Sequence, residues 1–358
     1  MSDYLIQPLA EGQQEEALQL MRRIFEPSLH SIFFLHPETT LVVRFEGKLV
    51  GGLNLDVYRV NTQVTMGYLG WLYIDEQHRG KGLAGRLIDE ALIFLRDLGC
   101  TDAAGCVEGD NPASFRQLEQ RGFAIRSLSF QLKRYRLGVT KVWSHASRFF
   151  DMGYFFWQSS LKEEQATPYP TNLSAYVRTV LGNTLAFSLL VLGWNIPALL
   201  SLPWTQGKAD SEPTLLLLIP MLALSVRTLS MLLVARIHKL PVVYRGWDTA
   251  YVAAYLAPLL LGIPFPNPGN LYIRGSDWSP KEQAKPLFAM GLASTVSLAL
   301  LSLLVPHPYV VMLLLLDTFF SKYPFCGFNA SRIWRGKRTL AILPALITLV
   351  CCTLLLVY

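Results

Sequence analysis

The sequence predicts an α+β domain with a mixed, mostly antiparallel sheet, followed by an all-α polytopic membrane domain that contains a re-entrant segment. Two observations support this fold class. Up to residue 137, segments rich in β-branched and aromatic residues alternate with amphipathic helical patterns. From residue 178 onward long apolar runs dominate, which explains why 51% of the 358 residues are hydrophobic and only 16% charged. We therefore expect three parts: residues 1–137, a linker at 138–177 and a membrane domain at 178–358.

The excess of basic over acidic residues indicates that the chain has a membrane surface as its partner, not nucleic acid. The formal net charge is +6, and lysines and arginines gather beside the apolar runs. The cysteines show neither metal-ligand spacing nor a secreted disulfide framework, so we expect reduced thiols. They are Cys100, Cys106, Cys326, Cys351 and Cys352. The N-terminus does not read as a signal peptide, so we expect a multi-pass protein of the inner (cytoplasmic) membrane with its N-terminal domain in the cytoplasm.

The first domain reads as a strand, a helix and then three more strands. Residues 4–8 predict a short strand, and residues 12–25 have the apolar spacing of an amphipathic helix. β-Branched and aromatic residues predict three sequential antiparallel strands, the first two joined by a tight turn, at residues 39–45, 48–60 and 64–74.

A glycine-rich turn follows the last of these strands and leads directly into a helix. Gly80 and Gly82 would let the backbone approach a pyrophosphate closely, and the helix start offers unpaired N–H groups and a partial positive charge. Arg79 and Lys81 add cationic side chains. No P-loop pattern is present, and the glycine spacing of residues 80–85, GKGLAG, is by itself weak evidence for a dinucleotide site. The turn therefore predicts a phosphate site of another kind.

Residues 77–82, QHRGKG, fit the motif Q/R-x-x-G-x-G/A, and with residues 72–74 before them they resemble the coenzyme A site of GNAT acetyltransferases. A second block, from Asn111 to Gly122-Phe123, is similar to the N-x(10)-GF block of that family. The resemblance covers residues 3–135. It implies a GNAT domain that uses acetyl-CoA, or a longer acyl-CoA, as acyl donor for an amine and that needs no metal.

The resemblance also assigns residues to the coenzyme. The backbone of Leu72, Tyr73 and Ile74 would pair with the pantetheine amides, and Asn111 would touch the pantetheine arm. The other members of the site are Gln77 and the residues expected to hold the pyrophosphate, which are Arg79, Gly80, Lys81, Gly82, Leu83 and Ala84.

The acid and base of the reaction are less apparent from the sequence. An amine that attacks a thioester must lose a proton, and the thiolate that leaves must gain one. GNAT enzymes often place a tyrosine seven residues after the asparagine, but this chain has Leu118 there. Because residues 68–72 include no carboxylate, the acids after the next strand, Glu108 and Asp110, are the candidates. The alternative is that both are solvated loop carboxylates.

The linker mixes basic residues with aromatic ones, as segments at a bilayer interface do. We expect an amphipathic helix on the cytoplasmic leaflet, with packing against the first domain as the alternative. The aromatic residues are Trp143, Phe149, Phe150, Tyr154, Phe155, Phe156 and Trp157.

The remainder of the chain contains six apolar runs, most of them long enough to cross a bilayer. Basic clusters at residues 236–245 and 322–338 should both face the cytoplasm. That requires five spans, and the third run, which ends in a proline- and glycine-rich segment, is the one expected to re-enter. The C-terminus would then lie outside. The runs are residues 179–202, 213–235, 247–264, 286–305, 308–321 and 339–357.

Three segments of this half look like the core of site-2-type intramembrane metalloproteases. The positions that match two zinc-binding histidines and an aspartate of those enzymes are Arg227, Met231 and Asn329. None of these side chains suits zinc, so the resemblance implies a core without metal or proteolysis. A charge in an apolar helix needs a partner, and Asp317 is a candidate for Arg227.

Two functions fit these observations. One is a membrane-tethered acyltransferase whose acceptor amine belongs to a lipid, a membrane protein or a small molecule. The other is a non-catalytic module that senses acetyl-CoA or binds a membrane substrate.

Overall fold

The computed structural model describes residues 4–146, 155–162, 172–200, 216–247, 250–275, 277–279, 281–320, 327–336 and 341–357. It divides into two compact units: Met1–Phe149 with Phe155–Tyr169, and Phe150–Tyr154 with Pro170–Tyr358. Several residues that the sequence singled out lie outside the described residues, namely Phe149, Phe150, Tyr154, Lys322, Cys326, Lys337 and Arg338.

In its described residues, the first unit contains a seven-stranded sheet, and this sheet is mixed, as the sequence predicts. The strand order is β1-β2-β3-β4-β5-β7-β6. Neighbouring strands are antiparallel except β4 and β5, which are parallel. The strands are β1 (Leu5–Pro8), β2 (Leu41–Phe45), β3 (Lys48–Arg59), β4 (Thr65–Ile74), β5 (Asp102–Cys106), β6 (Ala124–Ile125) and β7 (Phe156–Ser160). The α-helices are α1 (Gln14–Ile24), α2 (Leu83–Asp97), α3 (Pro112–Glu119), α4 (Leu128–Tyr135) and α5 (Val139–His145).

Helix α2 shows why the local pattern specifies this fold. Leu87, Ala91 and Leu95 recur at helical spacing and are all fully buried. A Cβ added to Gly67 of β4 would lie 2.4 Å from the Leu95 side chain, so the helix packs closely on the sheet at this point. The buried stripe therefore fixes which face of α2 meets β4.

The interfacial helix predicted for the linker is wrong where the structure describes that segment. Residues 156–160 form β7, which pairs with β5 and β6 inside the sheet. Phe156 is fully buried, and the Trp157 indole N–H donates to the Val107 carbonyl at 2.9 Å. In α5, the Trp143 indole N–H donates to Gln131 Oε1 at 2.8 Å. The first unit thus extends past the predicted boundary at residue 137, because aromatic side chains suit a protein core as well as a bilayer interface.

The second unit is mainly helical. It contains α6 (Asn172–Val191), α7 (Ile196–Leu199), α8 (Leu218–Ile237), α9 (Tyr251–Leu256, continued by a π-helical turn at Ala257–Leu261), α10 (Ala284–Leu304), α11 (Pro308–Phe319), α12 (Ala330–Gly336) and α13 (Ile342–Val357). Among the described residues, three helices are long and apolar enough to cross a membrane: Asn172–Leu199, Leu218–Ile237 and Ala284–Leu304. The apolar helices at 251–261, 308–319 and 342–357 are shorter. The five-span topology therefore stays a prediction.

The proline- and glycine-rich segment after α9 is buried although it is not helical. Residues 266–273 are buried, and their end forms β9 (Asn270–Ile273), which is paired with β8 (Val242–Arg245). The Asn183 side chain satisfies the backbone at Asn267: its Nδ2 donates to the carbonyl and its Oδ1 accepts from the N–H, both at 2.8 Å. Buried irregular backbone requires such partners. That the segment re-enters a membrane stays a prediction.

Candidate functional site

Strands β4 and β5 separate part-way along their length. Their parallel pairing ends at Tyr68 and Ala104, and beyond that pair β4 continues to hydrogen-bond with β3 on its other side as far as Ile74. The register between β3 and β4 shifts at Asn54/Leu55, so Gly70 is an extra residue in β4. The separation leaves one backbone edge of residues 69–74 without a partner strand among the described residues.

The side chains of the predicted pantetheine-binding strand point in different directions. The Tyr73 ring belongs to the core around α1, where it is 1% exposed and where burial raises the pKa of its hydroxyl. Leu72 is half-buried, and Ile74 is buried. Tyr73 is therefore a core residue, and its phenol is not accessible to a ligand.

The glycine-rich turn leads from the end of β4 to α2. The Asp75 carboxylate accepts from the Gln77 N–H at 3.2 Å and starts a short 3-10 helix at Glu76–His78. Gly80 and Gly82 then adopt φ angles of +77° and +74°, which other residues rarely adopt, and a Cβ at either position would meet no atom within 4 Å. The sequence requires glycine here for backbone conformation, and the space above the turn is open.

Helix α2 begins immediately after this turn. Its first internal hydrogen bond runs from the Arg86 N–H to the Gly82 carbonyl at 3.2 Å, so the N–H groups of residues 83–85 precede the helical ladder. The Leu83 side chain is 2% exposed, and Ala84 is half-buried. Both predicted residues would therefore contribute N–H groups and not side chains.

Lys81 and Arg86 contact Tyr4 near the start of the chain, and Arg79 contacts the end of β4. Lys81 Nζ donates to the Tyr4 hydroxyl at 2.7 Å and lies 5.4 Å from the centre of that ring. Arg86 donates to the Tyr4 carbonyl at 3.3 Å, and Arg79 Nε donates to the Ile74 carbonyl at 3.2 Å. Gln77 is exposed. The turn thus carries positive charge on both sides of its glycines.

The second predicted block forms the entry to α3. Asn111 is its N-cap, and the Asn111 side-chain oxygen accepts from the Ser114 N–H at 3.3 Å. The Asn111 N–H donates to the Glu108 carbonyl at 3.0 Å, and Glu108 and Asp110 are both half-buried. Leu118 is 4% exposed in the core. The position of Asn111 directly before Pro112 also favours this capping role, because proline is common at the first position of a helix.

A cluster of titratable side chains was missed by the sequence reading. His145 Nδ1 lies 2.6 Å from one oxygen of the Asp56 carboxylate, and His36 Nε2 lies 3.7 Å from the other. The Tyr58 ring stacks on the His145 ring with centroids 3.8 Å apart. Alternation along β3 places Asp56 and Tyr58 on one face, but no local pattern connects them to His36 or His145.

Tyr58 closes the inner side of this cluster. Burial, with the nearby Asp56 carboxylate and the Cys106 thiol, raises the pKa of its phenol well above the usual value. Its hydroxyl is buried and has no hydrogen-bond partner among the described residues. Tyr58 therefore remains a neutral phenol that helps to hold the His145 ring.

A second polar cluster lies inside the second unit. Arg227 Nη2 donates to Asp317 Oδ1 at 2.8 Å, and both side chains are at most 1% exposed. Asn329 Nδ2 lies 2.9 Å from Asp317 Oδ2 and 3.3 Å from Met231 Sδ, and the Ser294 hydroxyl donates to Asp317 at 2.6 Å. Arg227, Met231 and Asn329 thus meet in one cluster, with Asp317 as the partner of Arg227. Within the described residues, no group of three or more His, Cys, Asp or Glu side chains could hold a metal ion.

Comparison with known proteins relates part of the first unit to a family. Residues 5–123 match the family model of the Acetyltransferase (GNAT) family. The GNAT domain predicted from the motif is confirmed for this part of the chain, which is about a third of its length. No curated protein matches the sequence. The GNAT match ends before α4, so it includes neither α5 nor β7.

Several solved structures are similar to part of the chain. The NatC complex bound to Gag peptide and CoA is 22% identical over 35% of this chain and 86% of that one, with a TM-score of 0.32. N-acetylglutamate synthase from Neisseria gonorrhoeae, complexed with coenzyme A and N-acetyl-glutamate, is 16% identical over 45% and 36%, with a TM-score of 0.34. YhbS from Escherichia coli, in complex with CoA, is 20% identical over 45% and 83%, with a TM-score of 0.31.

Proposed function

We propose that the first unit is an N-acyltransferase that takes an acetyl or longer acyl group from coenzyme A. The observation that carries this proposal is the opening between β4 and β5 beside a glycine turn at a helix start. An extended pantetheine arm can add to the free edge of residues 72–74 as a strand would. The pyrophosphate would then reach the N–H groups of residues 80–84, where the helix dipole and two cations favour negative charge.

The same opening suits the chemistry of acyl transfer. A thioester carbonyl held at the edge of β4 would lie among backbone N–H groups, which stabilise the oxyanion that forms when an amine attacks. Holding donor and acceptor together supplies much of the rate enhancement of such a reaction. Glu108 and Asp110 remain proposed acid–base residues, and Asn111 a proposed contact of the pantetheine arm.

A sensor of acetyl-CoA would bind the coenzyme in the same way but would not turn it over. The two functions are separated by release of free thiol from acetyl-CoA by the purified chain, measured with and without candidate amines. Thiol release that depends on an amine supports the transferase. Tight binding without release supports the sensor.

We further propose that the second unit tethers this activity to a membrane, so that the acceptor is a lipid, a membrane protein or a small molecule at the cytoplasmic face. The support is the set of three helices of spanning length and the basic residues beside the apolar runs. Five spans and one re-entrant segment would place both basic clusters in the cytoplasm.

This topology predicts the side on which the chain ends. A C-terminal reporter that is active only outside the cytoplasm is expected to be active, because five crossings from a cytoplasmic N-terminal domain end outside. The measurement is paired with a reporter that fluoresces only in the cytoplasm. A cytoplasmic signal would mean that the third apolar run also crosses.

The interior of the second unit is proposed to resemble a protease core that holds no zinc. Arg227 offers no lone pair to a metal, and it is already neutralised by Asp317. Elemental analysis of the purified chain after dialysis is expected to find zinc far below one ion per chain. Stoichiometric zinc that disappears on replacing Asn329 would contradict this proposal.

A further inference from the structure

We propose that His145 is the general base that takes a proton from the acceptor amine, and that Asp56 is the residue that positions it. This inference rests on the proposed acyltransferase function and names a base for it. It differs from the candidates Glu108 and Asp110, for which the sequence offers only their position after β5.

The hydrogen bond between His145 and Asp56 determines which ring nitrogen is basic. A carboxylate only accepts, so the 2.6 Å contact with Asp56 requires that His145 Nδ1 carries the hydrogen. The neutral ring then has its lone pair on Nε2. The side chain of His145 is 39% exposed, whereas that of Asp56 is 13% exposed, so an acceptor can reach the ring while the carboxylate stays behind it.

Stacking also holds the ring in place. Tyr58 stacks on it almost in parallel, at 13° between the ring planes. His36 approaches the second oxygen of Asp56 at 3.7 Å, so the carboxylate faces two imidazoles. A base that is fixed by packing and by a hydrogen bond loses little entropy when it reacts.

The cluster lies next to the opening between β4 and β5. Asp56 is the β3 partner of Tyr68, and Tyr68 belongs to the last pair before β4 and β5 separate. The Phe34 ring lies in the same region. It occupies the space where a side chain on Gly70 would lie, and its centroid is 5.6 Å from the centroid of the His36 ring. These contacts connect the titratable cluster to the extra residue of β4, where the opening begins.

The proposed step balances as follows. An acceptor ammonium group gives one proton to His145 Nε2 and becomes a neutral amine. Its nitrogen lone pair forms a bond with the thioester carbonyl carbon, and collapse of the tetrahedral oxyanion breaks the carbon–sulfur bond. The second amine proton is taken up by the departing thiolate, which leaves as free coenzyme A thiol. His145 returns its proton to water.

The position of His145 can be tested without knowing the acceptor. Bromoacetyl-CoA carries an electrophilic carbon where acetyl-CoA has its methyl group. If the inference is right, His145 Nε2 displaces bromide from that carbon and forms a carbon–nitrogen bond. We would use the full chain with Cys106→Ser, so that this thiol does not compete, and map the adduct by mass spectrometry. The expected result is an adduct on His145 that excess acetyl-CoA suppresses and that does not form on His30.

The variant Asp56→Asn tests whether Asp56 positions His145, separately from whether His145 lies near the acyl group. The neutral amide no longer requires a hydrogen on Nδ1, so the rate of labelling at His145 is expected to fall by at least about tenfold. A chain that binds acetyl-CoA but is labelled on His36 or elsewhere, and not on His145, overturns the inference. An unchanged labelling rate in Asp56→Asn overturns the positioning role. A parent chain that does not bind acetyl-CoA overturns the proposed function itself.

Catalysis is tested with His145→Asn, whose amide can still donate to Asp56 but offers no base. With ethylamine, which is protonated at neutral pH, the amine-dependent release of thiol is expected to fall by about 100-fold or more. With hydroxylamine, which is already neutral, the loss should be less than about tenfold. The acetyl-CoA dissociation constant should stay the same. An equal loss with both amines, or no loss, would contradict the inference, whereas a parent chain that binds acetyl-CoA without amine-dependent release would contradict the proposed transferase function.

Discussion

Replacing Gly82 by tryptophan is expected to abolish the binding of acetyl-CoA. Gly82 has a φ of +74°, so any side chain at this position strains the turn, and an indole would fill the open space above it. The strain would also move the N–H groups at the start of α2, which are proposed to hold the pyrophosphate. Titration calorimetry on the purified chain should show that the dissociation constant rises at least about 100-fold, which weakens the binding free energy by about 2.7 kcal/mol.

The chain offers a matched control for this change. Gly99 follows the other end of α2, has a φ of +75° and likewise has nothing within 4 Å of an added Cβ. Gly99→Trp therefore imposes the same backbone strain without entering the proposed site, and it should bind acetyl-CoA like the parent. Equal binding by Gly82→Trp and the parent would show that the site lies elsewhere.

Removing the carboxylate of Asp317 is expected to destabilise the second unit strongly. Asp317→Leu would leave the guanidinium of Arg227 buried without its ionic partner, and such changes cost about 3–5 kcal/mol. The hydrogen bonds that Asp317 accepts from Ser294 and Asn329 would also be lost. Thermal unfolding of the chain in detergent should occur at a markedly lower temperature.

The double variant Arg227→Met with Asp317→Leu distinguishes the stability lost through the unpaired charge from the stability lost with the hydrogen bonds. It leaves no buried charge, so part of the lost stability should return, although Ser294 and Asn329 remain without their acceptor. Asp277→Leu serves as a control, because this acidic residue is exposed and lies outside the cluster. If Asp317→Leu unfolds at the same temperature as the parent, the ion pair does not support the unit.

The parts of the molecule that the sequence predicted well depend on neighbouring residues. The turn at Gly80 and Gly82 could be read directly, because a positive φ selects glycine and the next residues begin a helix. The buried stripe of α2 could be read from its helical spacing. The charge of Arg227 in an apolar helix indicated a buried partner, and the structure supplies Asp317.

Only the tertiary structure decided where the aromatic segment after residue 137 belongs and which side chains surround the opening. Composition does not distinguish a segment at a bilayer interface from an additional strand of a sheet, because both bury aromatic surface. In this chain the segment forms β7, a strand of the sheet. His36 precedes the 3-10 helix at Pro37–Thr39, Asp56 lies on β3 and His145 ends α5, and only the tertiary fold brings these distant segments together. Local sequence determines backbone conformation and the buried face of each element, because those depend on adjacent residues. The composition of a site depends on which distant elements pack together, and that is a property of the whole fold.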